Sequence, residues 1–510
     1  CKSIWFGDVL MSITSTTKHK LRGTSELVDT PVEVETFNSW ERDSDWLSLT
    51  TPSAEVGICL VAVESFGKNY ETIYIEGSSG TIDWGDGTTD NYTDSVMAEH
   101  DYTYSSINAS TQLANGDRQA IVTITATSGT TTQVNFGKQT TKTTNGVSTN
   151  WLEMHLNFGS CRDYIFDNGN MHHYRVEYIH IHAADDNVLN LNYTFEDLFA
   201  LRKVRIPILT DLTGSIRTFN NCRNLIDVNA FALPYQSVEG MFANCISLEK
   251  APEFDTSSVL YLTNMFNRCE SLRTIPEYDT SGAQYFSQMF FNCFALREIP
   301  LIDTSAGTEM IGMFQGCRAL QTIPLLDTSS VTKFSNMFRD CQSLNHLPEL
   351  DFSSNDGAST GMFNNCESLT RLPASFAGFT VTTSMSSFFR DCRSLQEIPN
   401  MVTTGVDSFS YCFRNTSSLK EIGTMDLSSV VTSSGINATV SGSTSLAKFN
   451  AIGPSTDWNI SGGAFWGDEL DQIFTNLPTV TDKTITITNT FGAADCDTSI
   501  ATAKGWTVVN

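Results

Sequence analysis

The stretch Met337-Phe-Arg-Asp-Cys-Gln-Ser-Leu344 is one copy of a phrase that recurs along the second half of this 510-residue chain. Related copies begin at Met265, Met289 and Met313. The cysteines of the series are spaced 23 to 26 residues apart: Cys222, Cys245, Cys269, Cys293, Cys317, Cys341, Cys366 and Cys392. Self-similarity at this period predicts a solenoid, in which each unit buries its apolar face against its neighbours.

The same register extends beyond the cysteines. Leu198 occupies the cysteine position 24 residues before Cys222, Thr416 occupies it 24 residues after Cys392, and Ser443 occupies it in a last, degraded copy. The pattern therefore predicts about eleven coils of about 24 residues within 198–450. With neighbouring strands ~4.8 Å apart, such a stack is roughly 50 Å long.

Within one coil, the apolar positions are separated by steps of 3, 3, 1 and 3, at Val331, Phe334, Met337, Phe338 and Cys341. This spacing puts the side chains on one face of a short helix or 3₁₀ segment. The following Leu344-x-x-Leu347-Pro348 predicts a brief strand that ends at proline. A helix opposite a parallel strand is the coil of an α/β leucine-rich-repeat solenoid.

The phrase closely resembles the BspA-like leucine-rich repeats of bacterial surface proteins and of some phage proteins. The resemblance covers roughly half of the chain, and it implies surface display and adhesion without catalysis.

The cysteine column is predicted to consist of buried free thiols that serve as small hydrophobes. Cysteines in one column of a parallel stack have Cβ vectors that point the same way, whereas a disulfide needs them to converge. A bridge between neighbouring coils is the alternative.

The charge balance argues against a nucleic-acid ligand. The chain has 57 acidic and 31 basic residues, for a net charge of −26, whereas a nucleic-acid partner needs a basic surface. No run of about 18 apolar residues occurs in the sequence, so no membrane span is expected.

The start of the chain, 1–44, is predicted to be a leader or attachment arm. It begins with Cys1, and the first methionine is Met11. One interpretation is a lipidated cysteine exposed by signal cleavage. The other is that residues 1–10 are translated leader and that Met11 is the true start. The second is favoured because Trp5 and Phe6 differ from the small polar residues that usually follow a lipidated cysteine.

Residues 45–137 show short alternating β-rich runs between Gly, Asn and Ser turns, which predicts an all-β sandwich. Trp84-Gly-Asp-Gly-Thr88, followed by His100-Asp-Tyr-Thr-Tyr104, resembles the PKD fold, an immunoglobulin-like module of extracellular proteins. The whole block is also similar to an N-terminal module of structural proteins in marine bacteriophages. That resemblance implies a virion protein.

The remaining boundaries follow from composition and from loss of the consensus. We predict a linker at 138–150, divergent N-terminal capping coils at 151–197 and a C-terminal capping repeat at 451–510. Open solenoid ends need a different surface to seal them. Trp506 is expected to cover the last coil.

Three groups of side chains have both a ligand-binding and a structural interpretation. Asp83, Asp86 and Asp90 could hold calcium, but they fit tight turn geometry better. His180 and His182, with His172, His173, Asp185 and Asp186 nearby, could hold zinc, but are more often hydrogen-bonded or exposed. The column Asp255, Asp279, Asp303 and Asp327 could bind cations, but each carboxylate starts a turn and is predicted to cap it. We therefore assign no metal ligand and no cofactor.

No catalytic motif stands out: G-x-S-x-G, G-x-x-x-x-G-K-[ST], H-E-x-x-H and C-x-x-C are absent from the sequence. The candidate recognition surface is a strip of variable residues on the strand face, where side chains alternate between core and solvent. This strand-face strip consists of Arg273, Arg297, Gln321, Asn345, Arg371 and Gln396. A merely solvated face is the alternative.

Taken together, these patterns predict a non-enzymatic virion structural or adhesion protein at the virion surface. Its N-terminal region would contact other virion proteins, and its solenoid would recognise a host-surface protein or glycan; the oligomeric state stays open. The alternative is an extracellular BspA-like adhesin of the bacterial cell surface. A glycan-cleaving phage appendage would need a carboxylate pair in a cleft, which the sequence does not display.

Overall fold

The computed structural model describes residues 40–66, 69–137, 150–166, 175–182, 189–207, 212–231, 233, 236–357 and 360–510. Residues 40–510 belong to one compact unit. The predicted arm up to Ser39, including Met11, and nearly all of the predicted linker lie outside the described residues. Throughout the described part of the chain, no helix is long and apolar enough to cross a membrane.

The described chain coils into a solenoid of about 13 turns with little helix. A single column of buried phenylalanines runs through it, with neighbouring ring centroids 5.2–6.0 Å apart and planes within 16° of parallel. Its members are Phe136, Phe166, Phe195, Phe219, Phe242, Phe266, Phe290, Phe314, Phe338, Phe363, Phe389 and Phe413. Because one ring per coil is inserted between two others, each coil depends on its neighbours for its core.

The predicted short helix of each coil does not form. Residues that would belong to it make a run of turns with 3₁₀-type bonds, such as Met313 N–H to Met310 C=O at 3.3 Å and Cys317 N–H to Phe314 C=O at 3.0 Å. The intervening N–H groups donate to the next coil instead, as Phe314 does to Met337 C=O at 3.0 Å. About half of the main-chain N–H groups in this segment therefore donate hydrogen bonds within their own coil, and the other half donate to the next coil.

Two left-handed residues per coil explain this path. The residue before the cysteine position has φ between 58° and 79° in eleven coils: Asp197, Asn221, Asn244, Arg268, Asn292, Gly316, Asp340, Asn365, Asp391, Asn415 and Gly442. A second positive-φ residue lies four positions earlier, as at Gly312 and Asn336. A right-handed helix cannot continue through such residues, and Asn, Asp and Gly tolerate this conformation best.

The strands of the first part of the solenoid belong to one 12-stranded sheet. They are β1 (Val56–Val63), β2 (Tyr70–Asp83), β3 (Thr89–Tyr92), β4 (Met97–Asp101), β5 (Arg118–Asn135), β6 (Trp151–Asn157), β7 (Asp163–Ile165), β8 (Tyr178–Ile181), β9 (Leu189–Asn190), β10 (Lys203–Arg205), β11 (Leu212–Gly214) and β12 (Asp227–Val228). Two 3₁₀ turns, Tyr104–Ser106 and Ala109–Thr111, precede β5.

The predicted separate β-sandwich is not confirmed. The antiparallel strands β1, β2 and β5 are hydrogen-bonded into the same sheet as the first coils, because β1 pairs with β6 and the end of β5 pairs in parallel with β7. Strands β6, β8, β10 and β12 then continue in parallel. An open solenoid end exposes unpaired strand edges, and the N-terminal strands cover these edges here. The sequence predicts this cap at 151–197, whereas β1, β2 and β5 lie before these residues in the chain.

In the later coils, the strands are short or reduced to isolated bridges. They are β13 (Glu397–Ile398), β14 (Glu421–Asp426), β15 (Lys448–Ile452), β16 (Trp458–Asn459), β17 (Lys483–Thr486) and β18 (Trp506–Val509). Strands β13 to β15 form one parallel sheet, and β16 to β18 form another. The 3₁₀ segments Ala374–Phe376 and Ser433–Ile436 also lie here.

Two α-helices occur among the described residues, α1 (Gly467–Thr475) and α2 (Thr498–Thr502), and both are near the C-terminus. Trp506 in β18 is buried, and its indole N–H donates to Pro478 C=O at 2.9 Å. The expected tryptophan is therefore part of the packed C-terminal end.

The column cysteines are fully buried free thiols, as predicted. Each Sγ lies 2.9–3.1 Å from the carbonyl oxygen of the column phenylalanine in the preceding coil, as Cys317 does from Phe290. Burial raises the pKa of these thiols, so they stay protonated and donate their S–H. Where serine replaces the cysteine, Ser443 donates its hydroxyl to Phe413 C=O of the preceding coil in the same way, whereas Thr416 donates to Phe413 C=O within its own coil.

This burial predicts selective thiol chemistry. Of the twelve described cysteines, Cys496 alone is partly exposed. Brief treatment of the native protein with iodoacetamide should therefore alkylate Cys496 and leave the other eleven unmodified, because a buried protonated thiol neither meets the reagent nor reacts with it. Peptide mass spectrometry reads the outcome, with urea-unfolded protein as the control. If the column cysteines, such as Cys317, were alkylated as fast as Cys496, the buried position of their thiols would be contradicted.

Candidate functional site

The strand-face strip lies at the surface, directly after the buried leucine of each coil except at Arg371, which is the second residue after Leu369. Arg273 is half-buried, while Arg297, Gln321, Asn345, Arg371 and Gln396 are exposed. Main-chain bonds between coils hold the spacing, for example Gln321 N–H to Arg297 C=O at 3.0 Å and Gln396 N–H to Thr370 C=O at 3.1 Å. Next to Arg297, Asn345 and Gln396 the following residue is exposed as well, so the strip is wider than one side chain per coil.

A groove of about 610 Å³ lies on this face around Arg371. Its lining includes apolar side chains and two prolines: Leu347, Leu372, Ile398, Pro373 and Pro399. It also includes three carboxylates, those of Glu349, Glu397 and Glu421. Arg371 is the only strip residue in the lining, so the structure gathers one member of the predicted strip into a concave site and leaves the others outside it.

One wall of the groove is built by the 3₁₀ segment Ala374–Phe376, which fits the 26-residue spacing between Cys366 and Cys392. Glu349 accepts the N–H groups of Ala374 and Ser375 at 3.1 and 2.9 Å. These main-chain hydrogen bonds lower the pKa of Glu349, with a smaller contribution from Arg371. The carboxylate is therefore ionised at neutral pH and fixed in position.

The carboxylates of the Trp84-Gly-Asp-Gly-Thr88 turn are all engaged within the protein. Asp83 accepts Gly85 N–H at 2.9 Å, Asp86 accepts Thr88 N–H at 3.0 Å, and Asp90 accepts the indole N–H of Trp84 at 2.9 Å. Gly85, at φ 78°, could not carry a side chain, because an added Cβ would lie 2.4 Å from Ile121 C=O. These contacts support the turn interpretation over a calcium site.

The repeated aspartates cap turns, as predicted. Asp279 Oδ1 accepts both the N–H and the hydroxyl of Ser281, at 3.1 and 2.7 Å, and Asp255, Asp303 and Asp327 do the same in their coils. The threonine that follows each aspartate was missed. Thr280 is buried, and its hydroxyl donates to Asp303 C=O of the next coil at 2.6 Å. The recurring Asp-Thr-Ser of these coils is the sequence pattern from which the role of this threonine could have been predicted.

Three histidines meet at the start of the solenoid. The sequence singled out His180 and His182, and the structure adds His155 of β6, which pairs in register with His180 of β8. Their possible ligand atoms all lie within 4.8 Å of one another. His172, His173, Asp185 and Asp186 lie outside the described residues. His155 could not be found from the sequence, because its place depends on the pairing of strands about 25 residues apart.

The electrostatics keep His180 and His182 neutral. Burial, followed by the neighbouring His182 and His155, lowers the pKa of His180 to about 4, and burial and His155 also lower the pKa of His182. Burial raises the pKa of Glu153, but hydrogen bonds from His155 and Arg42 outweigh it and hold that pKa below its usual value. The neutral imidazoles of His180 and His182 thus share the cluster with an ionised carboxylate.

A second cleft, of about 500 Å³, marks an interruption of the ladder between coils. Within the described residues, no main-chain bond joins Ala438, Val440 or Gly442 to the next coil, although Tyr411 and Phe413 donate to Asn437 and Thr439 at 2.9 and 2.8 Å in the coil before. The ladder resumes at Ile460. The cleft is polar, and Trp458 in its wall has a buried indole N–H without a partner among the described residues.

Comparisons with known proteins agree with a repeat architecture. Residues 216–321 and 275–376 match a family described as a Mycoplasma protein of unknown function, DUF285. Residues 359–471 match the family described as "BspA type Leucine rich repeat region (6 copies)". The search of curated proteins found no match.

Among solved structures, similar chains include a leucine-rich repeat protein from Eubacterium ventriosum (15% identity, TM-score 0.25), which covers 52% of this chain and 82% of that one. The leucine-rich repeat protein of T. pallidum has 17% identity and a TM-score of 0.20, covering 38% of this chain and 77% of that one. TLR13 in complex with ssRNA13 has 13% identity and a TM-score of 0.23, covering 65% of this chain; the chain spans only 54% of TLR13.

With TM-scores this low, the structural likenesses carry no argument, and the assignment depends on the repeat and on the family models. The repeat period, the buried column and the matched residues agree with one another. Residues 359–471 form a leucine-rich-repeat region of the BspA type, and they are part of the solenoid of about 13 turns that the described chain forms.

Proposed function

We propose that this chain is a non-enzymatic recognition protein that binds a protein segment carrying basic side chains. The observation that carries the proposal is the groove around Arg371, which is of ligand size and lies on the strand face of the repeats. Its apolar floor of leucine and isoleucine, with polar groups at the rim, is the composition expected of a protein-binding surface.

Charge gives the preference for a basic ligand. The groove lining carries three carboxylates against the single guanidinium of Arg371, and the whole chain has a net charge of −26. Glu421 is paired with Lys448 at 2.7 Å, whereas Glu397 is exposed and has no ion pair among the described residues. A lysine or arginine of a partner would supply the missing counter-charge at Glu397 and would be drawn to the site at low ionic strength.

The rest of the strand-face strip would extend the contact. Arg273, Arg297, Gln321 and Asn345 follow one another along the face at the coil spacing, so a partner lying along the solenoid would meet one such side chain per coil. Repeat proteins bind along such extended surfaces. In this proposal, the groove holds one segment of the partner in place, and the strand-face strip aligns the rest of the partner with the coils.

We further propose that this recognition takes place at an exposed biological surface, that of a phage particle or of a bacterial cell. The BspA-type repeats support recognition at a surface of either kind, and the particle is the narrower prediction made from the sequence of 45–137. Mass spectrometry of purified virions and of washed cell-envelope fractions distinguishes the two locations. Recovery of the chain with capsid and tail proteins would support the virion location. Recovery with the envelope alone would refute the virion location.

Removing the groove carboxylates should weaken binding of basic peptides. On an array of immobilised random 12-residue peptides, the wild-type protein is expected to select Lys- and Arg-containing sequences. The double variant Glu397→Gln/Glu421→Gln should bind them about 2- to 30-fold more weakly, because partly exposed charge pairs contribute about 0.2–1 kcal/mol each.

The matched control is Glu270→Gln, which removes an exposed carboxylate outside the groove and should leave the peptide signal unchanged. Raising the salt concentration should weaken the wild-type signal and narrow its difference from the double variant. Selection of acidic peptides, or equal loss in the control and the double variant, would refute the groove as the binding site.

A further inference from the structure

The histidine cluster lies on the parallel strands β6 and β8, far along the chain from the recognition groove. In-register pairing of His155 with His180 aligns the two side chains, and the two-residue period of a strand puts His182 on the same face as His180. The rings of His180 and His182 stack with centroids 3.6 Å apart. All three side chains are half-buried, so they are held in place and still reachable from solvent.

We propose that His155, His180 and His182 bind one divalent transition-metal ion of the zinc class. Their donor atoms all lie within 4.8 Å of one another, and His182 Nε2 lies 3.2 Å from His155 Nδ1. Two nitrogens bound to one tetrahedral ion are separated by roughly 3.3 Å, since each Zn–N bond is about 2.0–2.1 Å long. The pair already has the spacing that such an ion requires.

The hydrogen bond of His155 fixes which of its nitrogens can bind. Glu153 Oε1 lies 2.9 Å from His155 Nε2, and Arg42 Nε lies 2.7 Å from Glu153 Oε2. A carboxylate that accepts the Nε2 proton leaves the lone pair of Nδ1 facing His182. Carboxylate–histidine–metal arrangements of this kind orient the ligand and raise its basicity.

The donor set selects the class of ion. Three imidazoles suit zinc, copper or nickel, whereas calcium and magnesium require oxygen ligands. For His180, Tyr178 Oη lies 3.3 Å from Nδ1, which leaves Nε2 as the nitrogen that can bind. Three protein ligands leave a tetrahedral ion one further position for water or an external group.

The test uses the full chain, stripped of metal with a chelator and dialysed against micromolar Zn²⁺. We expect one zinc per chain by elemental mass spectrometry, and a rise in melting temperature on adding Zn²⁺ because only the folded state presents the site. The variant His180→Ala/His182→Ala should lose the bound zinc and the thermal shift. His346→Ala, which removes an exposed histidine on the solenoid face, should keep both.

Cobalt provides a readout that does not depend on stability. Co²⁺ added to the metal-free wild type should give visible d–d absorption of a tetrahedral nitrogen site, and the single variant His182→Gln should reduce its affinity at least about tenfold. Failure of the wild type to bind either ion overturns the proposal, and so does unchanged zinc content in the double variant, which would assign the metal to other residues. Peptide binding at the Arg371 groove should be the same as in the wild type in the variants of His180 and His182, so this result is independent of the proposed function.

Discussion

Replacing Phe314 with alanine is expected to lower the free energy of unfolding by about 3–5 kcal/mol, the range for deleting a buried aromatic ring. Phe314 is fully buried, and its ring lies 5.7 Å from that of Phe290 and 5.8 Å from that of Phe338. Truncation removes one ring and also leaves both neighbours facing a cavity. The site cannot close easily, because main-chain bonds such as that from Phe314 to the next coil hold the coil spacing.

Urea unfolding followed by circular dichroism measures this effect, and Leu325→Ala is the matched control. Leu325 is 60% exposed, so the same truncation there should change stability by no more than about 0.5 kcal/mol. An equally small decrease in the free energy of unfolding for Phe314→Ala would mean that the phenylalanine column contributes little to the stability of the core. A second, earlier transition in the variant would show that the stack had split into two independently unfolding parts.

Glu71→Gln is expected to remove a large pH dependence of stability. Glu71 is fully buried in β2, and this burial raises its pKa from 4.5 to about 8. The folded state therefore holds a proton that the unfolded state releases above pH 4.5. The stabilisation is complete below that pH and is lost as pH rises towards 8, by about 1.4 kcal/mol per pH unit and up to about 5 kcal/mol in total.

The glutamine introduced by this substitution is neutral at every pH, so the stability of the variant should fall much less between about pH 5.5 and 8.5 than that of the wild type. Its amide oxygen can still accept Asn150 N–H, which in the wild type donates to Glu71 Oε1 at 2.9 Å. Unfolding midpoints at the two pH values measure the difference, and Glu270→Gln at the surface should track the wild type. Parallel pH profiles for the wild type and Glu71→Gln would show that Glu71 is ionised in the fold.

The groove and the histidine cluster differ in how far the sequence could predict them. Arg371 was found because every coil has a variable pair after its buried leucine, and that position is a local property of the repeat. The acidic wall was not predicted, since Glu349, Glu397 and Glu421 meet only when successive coils are stacked. His155 was missed for the same reason, because strand pairing alone brings it to His180.

By itself, the sequence determined the period of the solenoid, its buried face and the free thiols at Cys317 and its equivalents, because identical coils in register place identical residues in one column. The tertiary structure decided the path within each coil. The 3.6-residue pattern of Phe334 to Cys341 agreed with a helix, but left-handed residues such as Asn336 and Asp340 turn the chain and send every second N–H to the next coil. The tertiary structure also decided that β1 and β5 cap the first coils. Contacts between distant segments of the chain determine which exposed edge a strand covers.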